Sequence, residues 1–230
     1  MYQDILTIAV VTVFAFFAIY WMWFQGEVDG SRLIAKNSMK QQKFNIILVL
    51  VAAFIVKAIL AVKNEGYSVD ITCFRSWSET VFTGGLSHFY EGDVTDYPPG
   101  YMLVLWLVAA IRHLFNIDNY STTGLFMIKL FPMLFDLAAA YLIYVMAKKR
   151  FSEGMSLMLS ALYALNPAVV IDSSVWGQVD GVLCCMVLLT CYLFMEEKRI
   201  LAYFAFCAGV LLKPQMVMFA PIIIYSIIEQ

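Results

Sequence analysis

The residues best suited to chemistry lie in a polar stretch between apolar runs. From Asn64 to Gly100 the chain gathers Asp70, Arg75, Glu79, Glu91, Asp93 and Asp96. Asp70 precedes I-T-C-F-R-S-W-S-E-T-V-F, in which Ile71, Phe74, Trp77, Ser78 and Val81 follow a helical period. Two compatible readings of Asp70 follow. It caps that short helix, or it is a general base that takes the proton of a hydroxyl at the membrane lip. Arg75 and Glu79 stand four apart, a spacing at which opposite charges pair. Asp96-Tyr97-Pro98-Pro99-Gly100 is a stiff turn, since each proline fixes its own φ and restricts the residue before it.

Other polar groups interrupt apolar runs further on. Trp176-Gly177-Gln178-Val179-Asp180 offers a flat ring, an amide and a carboxylate. It reads either as an interfacial tryptophan with Asp180 capping the next helix, or as the wall of a site. Lys213-Pro214-Gln215 breaks nearly 30 apolar residues. A lysine there snorkels to the surface or serves as a fixed cation for a phosphate. Lys129 is a second cation candidate. Asp136, seven residues on, suits a polar contact between helices. Asn119-Tyr120-Ser121 matches a glycosylation sequon, a weak signal.

These residues must be positioned by membrane helices. The chain is 62% hydrophobic and 14% charged, far above the roughly 45–50% apolar content of soluble domains. The fold class expected is all-α and polytopic, one transmembrane domain over 1–230. The spans expected are 5–24, 44–62, 125–147, 155–171, 180–195, 199–212 and 215–228, about seven in all. The segment 101–116 is short, about 24 Å at the helical rise, and carries Arg112 and His113. With 71–83, it is placed as an interfacial helix in an extracytoplasmic loop over 64–124. That placement lets both basic clusters, the linker 25–43 and Lys148-Lys149-Arg150, lie in the cytoplasm. The polar clusters 64–100, 172–180 and 213–215 then share the outer face. A net charge of −2 without a basic stripe argues against nucleic acid. The five cysteines form no C-x-x-C pair, and no metal site is expected.

The motifs Y-S-V-D-I-x-x-F-R-x-W from Tyr67, D-Y-P-P-G-Y from Asp96, K-L-F-P-x-L-F-D from Lys129, N-P-A-V-V-I-D-S-S-V-W-G-Q-V-D from Asn166 and L-K-P-Q from Leu212 together resemble the GT-C superfamily of integral-membrane glycosyltransferases. The likeness is greatest to bacterial proteins related to dolichyl-phosphate-mannose and dolichyl-phosphate-glucose transferases. It covers about 44–230. It implies a donor sugar on a polyprenyl phosphate, bound from the bilayer, and inverting transfer to a hydroxyl of a glycan or lipid-linked acceptor. It also implies a catalytic aspartate in the first outer loop, here Asp70, and juxtamembrane helices in that loop. No cofactor is expected to be required, with a divalent metal left open. The implied location is a bacterial plasma membrane, with the site facing the extracytoplasmic side.

On this reading Lys213, with Arg75 or Lys129, neutralises the donor phosphate. Asp96, Tyr97, Trp176, Gln178, Asp180 and Gln215 hold the sugar and acceptor. Family members usually continue with further spans, whereas this chain stops at Gln230. The alternatives are therefore a non-catalytic protein that binds or flips lipid-linked sugars, or an inactive truncated module.

Overall fold

The computed structural model describes residues 39–228, apart from 93, 94 and 96. The expected span 5–24 lies outside the described residues. Among the described residues the secondary structure is helical and no strand occurs. In chain order the helices are α1 (Met39–Lys63), α2 (Ser68–Gly92), α3 (Pro99–Leu114), α4 (Thr122–Ala147), α5 (Glu153–Ala164) and α6 (Pro167–Val170). A π-helical turn (Ile171–Trp176) continues α6. Then come α7 (Asp180–Met195), α8 (Arg199–Leu212), a 3₁₀ turn (Pro214–Phe219) and α9 (Ala220–Ile228).

Two described helices are long and apolar enough to cross a membrane: Gln42–Lys63 within α1, and α4. The pair Glu153–Ala164 and Pro167–Trp176, bent by 47°, counts as a third if it is one span. Helices α3, α7 and α8, and the stretch Pro214–Ile228, are apolar but shorter. The expected run 215–228 is not one helix, because Pro214 opens a 3₁₀ turn before α9 starts at Ala220. The stretch 172–180 was expected to be a loop. It is π-helical to Trp176, and only residues 177–179 lie outside a helix.

Helix α2 runs longer than the expected 71–83. It is broken at Gly85, whose φ of 75° and ψ of 172° no helix contains. Helix α3 starts on Pro99, a position where a missing N–H costs nothing. Helices α2 and α3 pack on each other through an aromatic cluster, in which Phe74 lies 5.5 Å from Tyr101 and 5.8 Å from Tyr97, ring to ring. Glu79 of α2 accepts hydrogen bonds from Arg112 and His113 of α3, the latter at 3.0 Å. The expected Arg75–Glu79 pair is therefore replaced by a link between helices. Burial opposes the charge on Glu79, but the bonds from Arg112 and His113 outweigh it and hold its carboxyl below the ordinary value.

Helices α1 and α4 are packed neighbours whose ends match. Lys148 Nζ, just past α4, donates to Gln42 Oε1 at 2.5 Å. At the other end Lys63 and Thr122 line one cavity. The chain from Lys63 to Thr122 thus begins and ends on one side of the bundle. The hydrophobic core joins the inner faces of α2, α3, α4, α7 and α8, with Phe74, Tyr101, Met102, Ile128 and Met216 almost wholly buried.

Candidate functional site

Asp70 is the third residue of α2 and does not cap it. Its carboxylate is held by side chains from another part of the chain. Trp176 Nε1–H donates to Asp70 Oδ2 at 2.9 Å, and Gln178 Nε2–H donates to the same oxygen at 2.8 Å. The Tyr97 hydroxyl donates to Gln178 Oε1 at 3.3 Å, which fixes the amide orientation. Tyr97 is set in turn against Trp77 and Tyr101, at ring distances of 5.6 and 5.2 Å. Four of the residues expected at the site therefore meet: Asp70, Tyr97, Trp176 and Gln178. Trp176 is 44% exposed as a residue and packs against the Tyr67 ring, centroid to centroid at 5.1 Å, beside the carboxylate.

Backbone geometry makes this meeting possible. Tyr67 N–H donates to the Trp176 carbonyl at 2.9 Å. Gly66 and Gly177, one on each side of this contact, both adopt φ of 90°, a left-handed conformation that costs glycine little. A Cβ on Gly66 would lie 2.8 Å from the Trp176 carbonyl oxygen, and one on Gly177 would lie 2.7 Å from Ile71. The π turn helps as well, since its Asp172 carbonyl accepts from the amides of both Gly177 and Gln178 at 2.9 Å. That aims Trp176 and Gln178 back toward α2.

The expected cations are placed differently. Lys213, 5% exposed, forms an ion pair with Asp180, the first residue of α7. Asp180 has no side-chain capping bond at that helix start; its carboxylate serves Lys213. The Arg75 guanidinium lies over the Tyr120 ring at 5.1 Å. Lys129 is wholly buried. Its Nζ donates to the carbonyls of Asn64 at 2.7 Å and Ser174 at 3.0 Å, with those of Ala61 and Val175 at 3.4 Å. It ties the end of α1 to the end of the π turn, directly behind the Asp70–Trp176 contact. Its N–H groups face four backbone carbonyls, an arrangement that clamps these two segments. Gln215 is exposed in the 3₁₀ turn. Asp96 lies outside the described residues.

A second polar cluster went unread in the sequence. Lys57 Nζ meets Asp136 Oδ2 at 2.8 Å, the Val169 carbonyl at 3.1 Å and Ser173 Oγ at 3.1 Å. Lys57 and Asp136 are almost wholly buried. A Cβ on Gly181 would fall 2.1 Å from Asp136 Oδ1, so only glycine lets α7 pack there. The signal was present: Lys57 is a lone charge inside an apolar run, and such a charge demands a partner. Among the described residues, no group of three or more His, Cys, Asp or Glu is arranged to hold a metal ion.

A family model described as dolichyl-phosphate-mannose-protein mannosyltransferase matches residues 96–230, more than half of the chain. The chain belongs to this family. The GT-C resemblance is thereby established. The matched range of this mannosyltransferase-family chain includes Trp176, Gln178, Asp180 and Lys213; Asp70 and Lys57 precede it. GPI mannosyltransferase 1 of Saccharomyces cerevisiae is 27% identical over 128 residues, which cover 53% of this chain. The aligned part is 29% of that relative's length. No solved structure matches.

Proposed function

We propose that the chain catalyses inverting transfer of a sugar, mannose by family analogy, from a polyprenyl phosphate to an acceptor hydroxyl. The observation that carries this reading is the Asp70 carboxylate, fixed by Trp176 and Gln178, with Trp176 itself partly exposed. Asp70 takes the proton of the acceptor hydroxyl. The acceptor oxygen forms the new bond to the anomeric carbon from the face opposite the departing phosphate. The bond from that carbon to the phosphate oxygen breaks, and its electron pair leaves with the polyprenyl phosphate.

The leaving group is a stable anion, so it needs a cation rather than an acid. Lys213 supplies that charge. Asp180, 57% exposed at its side chain, gives up part of the ion pair when the phosphate arrives. Arg75 is the second cation. Trp176 stacks on the sugar, while Tyr97, Gln178, Asp180, Gln215 and Asp96 set its hydroxyls and the acceptor. Lys129 acts on the site through the backbone it clamps. No cofactor enters the scheme.

In the proposed topology the segments around α1, α4, α5–α6, α7, α8 and 214–228 cross the bilayer, with 5–24 as a further span. Helices α2 and α3 lie on the extracytoplasmic surface. The matched ends of α1 and α4 support this, because the intervening chain makes no net crossing. The test is a transfer assay on the full chain reconstituted in liposomes. Radiolabelled polyprenyl-phosphate-mannose is the donor and a crude membrane fraction supplies the acceptor. Label is expected in the acceptor with an inverted anomeric centre. Donor retained without transfer would overturn the enzymatic reading in favour of a lipid-linked-sugar binding protein.

A further inference from the structure

The opposite end of α1 carries a second amphiphilic pocket that the catalytic reading does not use. Lys43 is twenty residues before Lys63 on one helix, about 30 Å away along the axis. A cavity of about 540 Å³ opens there between α1 and α4. Its rim is polar, with Gln42, Lys43 and Lys148. Its wall is apolar, with Ile46, Ile47 and Val145. Gln42 and Lys148 are joined across the rim at 2.5 Å. Lys148 also stands 5.4 Å above the Tyr144 ring and 3.3 Å from Glu153 Oε2. Two lysine charges against one carboxylate leave the rim with a net single positive charge.

The pocket does not end at the rim. A second cavity of about 400 Å³, lined by Leu50, Val51 and Leu134, follows it along the same groove, and Tyr141 borders both. A cationic rim thus opens onto an apolar groove, which the proposed topology sets against the bilayer. We infer that this groove binds one anionic phospholipid, its phosphodiester between Lys43 and Lys148 and an acyl chain laid along α1 and α4 toward Leu50. A free phosphate would leave the apolar groove empty. A zwitterionic lipid would bring a cation of its own to a rim that is already positive. Basic pockets between membrane helices on the cytoplasmic side suit anionic headgroups for this reason, and the proposed topology puts this rim on that side. The inference is independent of Asp70 and of sugar transfer.

Native mass spectrometry of the full chain tests it, with dioleoyl-phosphatidylglycerol and dioleoyl-phosphatidylcholine added in equal amounts. Wild type is expected to retain one phosphatidylglycerol in preference to phosphatidylcholine by about tenfold, the size set by two lysines near one phosphate. The preference should vanish in the double variant K43Q/K148Q. It should persist in K63Q, which removes one lysine charge from the other end of α1. Should the double variant fold poorly, K43Q alone must lower the preference several-fold. Equal retention of the two lipids by wild type, or an unchanged preference in the lysine variants, overturns the proposal.

Discussion

Asp70 and Asp136 are both anchored carboxylates, but their surroundings differ. Asp136 is shut inside the bundle and faces a lysine, a hydroxyl-bearing turn and the bare backbone of Gly181. Asp70 is half-buried, is held by two neutral N–H donors on one oxygen, and stands beside the partly exposed Trp176. A buried charge needs a countercharge, because leaving water costs several kcal/mol per ion. At Asp70 the two neutral donors aim the carboxylate without a lysine paired to it. The first arrangement builds structure. The second, on the proposed function, leaves a base available to a substrate. The cations divide likewise: Lys57 and Lys129 are spent inside, whereas the partner of Lys213 is half-exposed.

The comparison is broken most decisively at Asp70. Asp70→Asn should lower transfer by at least about a thousandfold, within the range for losing a general base, with the melting temperature of the detergent-solubilised protein unchanged. Substantial transfer by this variant would remove Asp70 from the mechanism. At the closed site the expected effect is on stability. Lys57→Met leaves Asp136 buried without a countercharge, which costs about 3–5 kcal/mol and should lower the melting temperature by roughly 10 °C. The double variant Lys57→Met/Asp136→Leu should recover most of that loss. A double variant as unstable as the single one would show that the pair is not what matters there.

Lys129 joins the two regions, and its loss should register in both. Lys129→Met strips the carbonyls of Asn64 and Ser174 of a buried donor, a cost of about 1–3 kcal/mol. Amide exchange at Gly177 and Gln178 should quicken. The turnover number should drop about tenfold, with the KM for donor held, since the clamp positions Asp70's partners without touching the lipid. A raised KM instead would return Lys129 to the phosphate. Trp176→Phe keeps a ring but removes one hydrogen bond to Asp70. One such bond is worth about 1 kcal/mol, so kcat/KM should fall by about fivefold.

The smallest effect belongs to Glu79. Its carboxyl is held below the ordinary value by Arg112 and His113. The stabilisation it gives is therefore present at neutral pH and fades as pH falls from about 4.5 through the lowered folded value. Glu79→Gln should flatten the acid limb of a melting-temperature profile by a degree or two, because the group is partly exposed and screened.

Much of this was legible in the residue order. The apolar runs gave the helices at 44–62, 125–147, 180–195 and 199–212 to within a few residues, because hydropathy and helical period are local properties. Polar breaks and the GT-C resemblance put Asp70, Tyr97, Trp176 and Gln178 in a larger set of candidate residues, and the fold brings these four together across more than a hundred positions. Pairing was harder to read. Glu79 bonds Arg112 and His113 across a helix pair instead of its i+4 neighbour Arg75. Lys129 is a clamp because two helix ends converge on it. Lys57, hidden in an apolar run, gained meaning only once Asp136 lay opposite.

The sequence by itself determined that this is a helical membrane protein with its chemistry gathered at a few polar breaks, since burial of backbone and charge in lipid admits few other solutions. The tertiary structure decided which carboxylate is confined by a lysine and which is aimed by neutral donors. That choice depends on the close approach of Gly66 to Trp176 and of Gly177 to Ile71, distant stretches whose contact no local pattern encodes.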